Sequence, residues 1–443
     1  MAGADRISSL PSELKVSILS CLSVKDAIRT STLARSWRHV WTLLPCLSLG
    51  IYEDLLGDTD DTTDIPVKSS WIERVHHLVS SLRGPLLVFE LFHCFHFGQS
   101  TLLQSLLDLL LKKVGVEKLG LWIQTQVDPV LLYPVVLYLP SFHSLKELSL
   151  SGCLIILPTG FLGFNRLTTL NLNEVHISSD DLHSLVHTSN NLTTLVILNI
   201  VATEKPLLLN FSLPLLRHLT FGINESVENV SVVCAPCLDQ AHIYIWNYTD
   251  SKEKLASVAL RLVTSAVTVS SLNLDFDVLK FFSLVTLPFN FTFPRLRCLK
   301  LHLHIPTSNK RLYSAFFWLL RCMPFLEELK VELESEFSSQ TSWVAIPMRE
   351  FLVKKQGGLS CLDQTLKSVR IRTESLIDVM TSIAVVKFFL VNANVLRLLK
   401  IAHWTGSEVM PIMIEDLQKT KVASSDAKVV IHRHGENVTF DVR

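Results

Sequence analysis

The chain has 443 residues, 48% of them hydrophobic and 19% charged, enough apolar material for a large core and too much for disorder along its length. Lys plus Arg and Asp plus Glu both number 41, so no overall positive field is available to hold a phosphate backbone, and general nucleic-acid binding is not expected. At roughly 150 residues per domain, the length suits about three domains or one long repeat array.

The mean hydropathy of +0.35 raises the question of a membrane span. The most tempting uncharged stretch, 148–165, is broken by Gly152, Pro158, Gly160 and Gly163, so it cannot satisfy its own backbone in lipid. Residues 1–6 already carry Asp5 and Arg6 and lack the apolar block of a signal peptide, which predicts a reducing compartment. Nine scattered Cys fit buried thiols better than a disulfide framework. The one close pair, Cys234-Ala-Pro-Cys237, has neither a second pair nor the setting of a zinc or redox motif.

Residues 5–45 predict three helices. Pro11 suits a first helical turn, and Leu14, Ile18 and Leu22 recur at i, i+4, i+8 as one apolar stripe. Ser23 followed by Asp26 resembles a capping box and predicts a second helix from Val24 to about Thr30. Leu33, Trp37, Val40, Trp41 and Leu44 would share one face of a third helix that Pro45 stops. So short a helical segment cannot bury all these groups internally, and the surplus asks for a partner.

This segment closely resembles the F-box of plant F-box proteins at Asp5-Arg6-Ile7-Ser8, Leu10-Pro11, Glu13-Leu14, Ile18-Leu19, Leu22, Lys25-Asp26-Ala27, Thr30-Ser31, Leu33, Trp37-Arg38 and Trp41. The resemblance implies a module that docks on a Skp-family adaptor and through it on the cullin and RING subunit of a ubiquitin ligase. Leu10, Pro11, Ile18, Leu19 and Leu22 are the expected adaptor contacts.

Residues 51–70 carry Glu53, Asp54, Asp58, Asp60, Asp61 and Asp64 against Lys68 and predict a solvated acidic linker. Trp71, Val75, Leu78 and Leu82 then resume helical spacing, and 85–92 reads as a strand, so that 71–115 forms the N-terminal cap of a repeat array.

From Val116 onward a unit L-x-x-L-x-L recurs, with 116–345 read as the leucine-rich repeats. Its clearest copies start at Leu145, Leu167, Leu192 and Leu216, separated by 22, 25 and 24 residues, inside the leucine-rich-repeat range. Weaker copies start at Val116, Leu238, Val269, Leu296, Leu326, Leu366 and Leu396. Alternation puts both apolar residues of L-x-L on one face of a short strand, and stacked strands make a parallel sheet lining an arc. Cys153 falls at the turn position that the longer repeat pattern gives to Asn or Cys. Pro214, Pro236, Pro294 and Pro324 stand two residues before the first Leu of a unit, where Pro ends the convex segment and admits the strand.

The intervening positions should form a concave binding face. Glu147, Asn171, His242, Lys300, Lys330 and Arg370 are the expected substrate contacts, on a face that grows more cationic toward the C-terminus and so suits an acidic or phosphorylated partner segment. Residues 359–403 resemble the FBD domain that ends many plant F-box proteins, at Cys361-Leu362, Leu366-Lys367-Ser368-Val369, Asn392-Ala393, Val395-Leu396 and Leu399-Lys400-Ile401, which implies strand, helix, strand as a cap; 404–443 would be a C-terminal extension.

The fold class expected is therefore α/β: a three-helix F-box, an irregular leucine-rich-repeat solenoid and an FBD β-α-β cap. No phosphate-binding loop, nucleophile elbow or H-E-x-x-H motif is present, and His76-His77, His302-Leu-His304 and His432-Arg-His434 lack companion ligands, so no catalytic residue, metal or cofactor is expected. The reading is a non-catalytic substrate receptor of an SCF-type (Skp-cullin-F-box) ubiquitin ligase, in nucleus or cytoplasm. The alternative is a protein-binding scaffold that acts without ubiquitin transfer.

Overall fold

The structure is a computed structural model that describes residues 6–50, 69–95, 100–113, 115–125, 134–245, 252–304, 310–334, 359–373, 379–403, 415, 417–433 and 436–441. Most of the expected acidic linker lies outside the described residues. The chain divides into two compact units, Met1–Leu209 and Asn210–Arg443.

The first unit opens with helices Ser12–Leu19 and Val24–Arg29. Pro11 is the N-cap of the first, one position earlier than a first-turn Pro, and the Ser23 hydroxyl accepts the Asp26 N–H at 3.2 Å as the capping pattern predicts. The expected third helix is instead a run of single 3₁₀ turns, Thr30–Thr32, Arg35–Trp37 and Val40–Leu43. Its cause is local. The hydroxyls of Thr30, Ser31 and Thr32 donate to the carbonyls of Ala27, Ile28 and Arg29, which competes with continuous helix, and Ala34 is fully extended. Trp37, Val40 and Leu44 still reach a core with Leu19 and Ala27, whereas Leu33 stays 74% exposed.

That core runs directly into a sheet. The Pro45 carbonyl accepts the N–H groups of Leu87 and Val88, and strand Cys46–Leu49 pairs in parallel with Val88–Phe95. Strands Lys118–Thr125, Glu147–Ser151, Thr169–Asn173 and Thr194–Leu198 follow, all parallel. Helices Ser69–Ser81, Ser100–Lys112 and Ser179–His187 lie between strands in the chain, and a second, four-stranded sheet is built from Val135–Tyr138, Cys153–Ile156, His176–Ile177 and Val201–Ala202. Gly152 turns the chain from one sheet to the other at φ +73, and a Cβ there would run into the Ile123 carbonyl oxygen, so both conformation and space call for Gly.

The second unit holds parallel strands His218–Ile223, Gln240–Ile245, Ser271–Asp277, Cys298–His304, Glu328–Glu334, Ser368–Thr373, Leu398–His403 and Lys428–Arg433. Strand Glu436–Asp441 closes the row antiparallel. Every L-x-x-L-x-L start read from the sequence precedes an observed strand by two residues. Residues 368–403 do form strand, helix (Val379–Asn392) and strand, but they continue the parallel sheet, and two further strands stand where a plain C-terminal extension was expected.

One device sets the register throughout. The carbonyl of the residue after the first Leu of a unit accepts two successive N–H groups from the next unit: Arg297 from Glu327 and Glu328, Glu327 from Lys367 and Ser368, Lys367 from Arg397 and Leu398. Pro214, Pro236 and Pro324 occupy the second position of turns closed by Leu216 N–H to Leu213 O, Leu238 N–H to Ala235 O and Leu326 N–H to Met323 O, where fixed φ is an advantage.

Candidate functional site

On the N-terminal helices the apolar residues divide between two faces. Leu19 is fully buried against Ala27, Trp37, Val40 and Leu44, while Leu14, Ile18 and Leu22 are 51%, 43% and 43% exposed, with Ile7 and Leu33 exposed nearby in sequence. The i, i+4, i+8 stripe thus points to solvent, because the small core is filled by residues one position off it. Leu19 belongs to that core, which corrects its expected place among the surface contacts. Leu10 is half-buried and Pro11 exposed. Lys15 is buried across this core, donating to the Ser8 carbonyl at 2.8 Å with its ammonium 5.6 Å from the Trp37 ring centre. Exposed aliphatic side chains on a short helix and in the turn after it are the kind of surface that another protein covers.

The second surface is the sheet face carrying the x residues of L-x-L. In the first unit Glu147 stands 3.5 Å from Lys118, which also pairs with Glu90 at 3.0 Å; the hydrogen bond to Glu90, and then the charges of both carboxylates, raise the Lys118 pKa. Asn171 sits half-buried between Ser149 and Val196 in register. Sequence reasoning missed the aromatic pair on this face: Phe92 and Trp122, partners in register, stack at 4.1 Å, and the Trp122 ring lies so close over Gly120 that a Cβ there would meet it. The signal was available as alternate positions of Val88–Phe95 and Lys118–Thr125.

In the second unit the structure gathers four of the expected contacts into one row. His242, Asn273, Lys300, Lys330, Arg370 and Lys400 are successive partners across adjacent strands. Asn273 and Lys400 were not singled out from sequence, although each is the middle residue of its own L-x-L. Carboxylates on the same face pair with this cationic row: Glu332 with Lys300 at 3.0 Å, and Glu328 with Lys330 at 3.2 Å and Arg370 at 3.1 Å. At the other end Asp275 lies 3.6 Å from His242 and 3.4 Å from His302, and the Tyr244 hydroxyl lies 3.0 Å from His242 Nδ1. The polar contact with His242, then the charges of His302 and Lys300, hold the Asp275 carboxyl below its usual value. In-register stacking brings carboxylates two residues away within reach of the same row.

Among the described residues no group of His, Cys, Asp or Glu has the arrangement of a metal site, and no helix is long and apolar enough to cross a membrane. Cys234 and Cys237 are exposed free thiols, and Ala235 and Pro236 between them form the turn before a strand.

Residues 7–49 match the F-box domain family, and 103–331, just over half of the 443 residues, match the leucine-rich repeats of FBD-associated F-box protein At5g56370. The chain is 30% identical over 241 residues to F-box/LRR-repeat protein At3g26922 of Arabidopsis thaliana, covering 53% of this chain and 73% of that protein. It is 32% identical over 179 residues to F-box/FBD/LRR-repeat protein At2g04230 of the same plant, covering 40% and 38%. A shorter likeness, 51% over 47 residues, is to putative F-box/FBD/LRR-repeat protein At5g52460, also of Arabidopsis thaliana, covering 11% and 12%.

Proposed function

The chain belongs to the F-box/leucine-rich-repeat protein family, and on that premise we propose that it is the substrate-recognition subunit of an SCF-type E3 ubiquitin ligase. The observation that carries the reading is the exposed aliphatic stripe of Leu14 and Ile18 on a helix whose own core is already filled, continued by Leu22 in the turn after it. A Skp-family adaptor would cover that stripe together with Leu10 and Pro11, and would link the chain to a cullin and RING subunit. The strand faces that carry the x residues of L-x-L would hold the target protein. In this mechanism the chain performs no bond-making. It holds a target near a charged ubiquitin-conjugating enzyme, so that attack by a target lysine becomes effectively intramolecular at a high local concentration. The setting would be nucleus or cytoplasm, where such ligases meet their targets.

The test is co-purification of the full chain with a Skp-family adaptor. Changing Leu14 and Ile18 to Ser removes exposed apolar anchors, each commonly worth over about 1 kcal/mol in an interface, with little cost to folding. Adaptor binding should fall at least about tenfold while the thermal midpoint stays put. Undiminished binding by this variant, and by Leu10→Ala with Pro11→Ala, would sink the assignment.

A further inference from the structure

The row on the second unit has a feature that a merely solvated sheet face would avoid. Lys300, Lys330, Arg370 and Lys400 are direct partners on four adjacent parallel strands, so like charges recur about every 4.8 Å over about 14 Å. Like charges directly opposite one another are unfavourable. Glu328 and Glu332, both on the strand of Lys330, and Asp275, whose carboxyl feels the charge of Lys300, relieve the repulsion only in part, since Lys300, Lys330, Arg370, Lys400 and Arg372 outnumber them. The carboxylates also sit deeper. The Glu328 and Glu332 side chains are 27% and 28% exposed and that of Asp275 35%, against 36% for Lys300, 38% for Lys330 and 53% for Arg370. The outermost layer is therefore a line of cations resting on a smaller number of anions.

We propose that the row Lys300, Lys330, Arg370 and Lys400 docks an extended acidic segment of a partner protein, lying across the strands with carboxylates at alternate residues. This deepens the substrate-receptor reading and rests on it for the identity of the partner as a substrate. Three physical points select the occupant. Same-face residues of an extended peptide recur about every 6.8 Å, so acidic residues at i, i+2 and i+4 span about 13.5 Å and match the row. A helix, about 10 Å wide with its side chains, would overlap the flanking rows about 6.8 Å to either side and press its charge against Glu328 and Glu332. A phosphate group concentrates two charges beside the same carboxylates and wants backbone N–H donors, which are occupied here by strand pairing. Carboxylates spread along the row avoid both costs.

The experiment measures anisotropy of a fluorescent peptide of alternating Glu and Ser, titrated with the full chain co-purified with its adaptor. Binding is expected, weakening as salt rises from about 50 mM to about 500 mM because exposed charge pairs are screened. Arg370→Gln with Lys400→Gln should weaken it about fivefold, Arg370→Lys should stay within about twofold, and Lys254→Gln on the helix Lys252–Ser265 should change nothing. Unchanged affinity in the double variant, an equal loss with Lys254→Gln, or binding of inorganic phosphate without binding of the Glu peptide would each overturn the proposal. Adaptor retention is read on the same sample. Loss of the adaptor with peptide binding intact refutes the ligase reading alone, and the converse refutes the acidic docking row alone.

Discussion

Cys153 lies fully buried at the start of a strand in the smaller sheet, and burial pushes its thiol up to about 12. Burial does the same at Cys322, also to about 12, and at Cys361, to about 11. Thiolate is the reactive form, so in the folded chain these three should resist iodoacetamide at about pH 8 while exposed Cys21, Cys234 and Cys237 are labelled. Peptide mapping before and after unfolding checks this, and labelling of Cys153 in the folded chain would contradict it. The linkage has a definite sign. The folded pKa stands above the ordinary value of 9.0, so the contribution of the neutral thiol is fully present below about pH 9 and is lost as pH rises toward about 12. The structural role of Cys153 was legible from its turn position in the repeat. The strand register behind the pairing of Arg370 with Glu328 was legible too, from the unit starts Leu326 and Leu366, but the pairing itself was not, because it runs diagonally, from the Lys330 partner to a residue two positions away.

At the scale of the element, the first helix shows how one residue of offset separates folding from docking. Ile18 belongs to the outward stripe, while its neighbour Leu19 packs in the core with Trp37 and Leu44. Leu19→Ala should therefore cost about 2–5 kcal/mol of stability through a cavity, and adaptor binding should fall only as far as folding does. Denaturant midpoints measured beside adaptor affinity check the split, and a Leu19→Ala chain as stable as the parent would contradict it. Periodicity alone could not assign the two roles, since both faces of so short a helix are apolar. The same limit explains the missing third helix: its apolar spacing is real, but hydroxyls at Thr30, Ser31 and Thr32 redirect the backbone. Strand Cys46–Leu49 was legible and overlooked, for Leu44-Pro45-Cys46-Leu47-Ser48-Leu49 is itself an L-x-x-L-x-L unit hidden at the end of the F-box. Strand Lys428–Arg433 was less so, because Asp426 stands where the unit's first Leu would be.

At the scale of the molecule, a parallel stack of repeats has the problem of its last edge, whose unpaired backbone groups invite another chain. In the second unit Lys428–Arg433 covers Leu398–His403, with Val429 and Ile431 in register with Leu399 and Ile401, and Glu436–Asp441 then turns back antiparallel. Leu417, Ala427, Val429 and Ile431 are all buried there. Ending the chain after His403 would remove these groups, each Val, Leu or Ile worth about 1.5–3 kcal/mol of burial, and would expose the apolar pair Leu399 and Ile401 beneath an open parallel edge. The truncated chain should melt several degrees lower and sediment as oligomers, while adaptor binding, which resides in the first unit, should persist in whatever stays soluble. Melting and sedimentation velocity on the two lengths decide it. A truncated chain that is monodisperse and melts with the parent would show that the strands 428–441 do not protect the sheet.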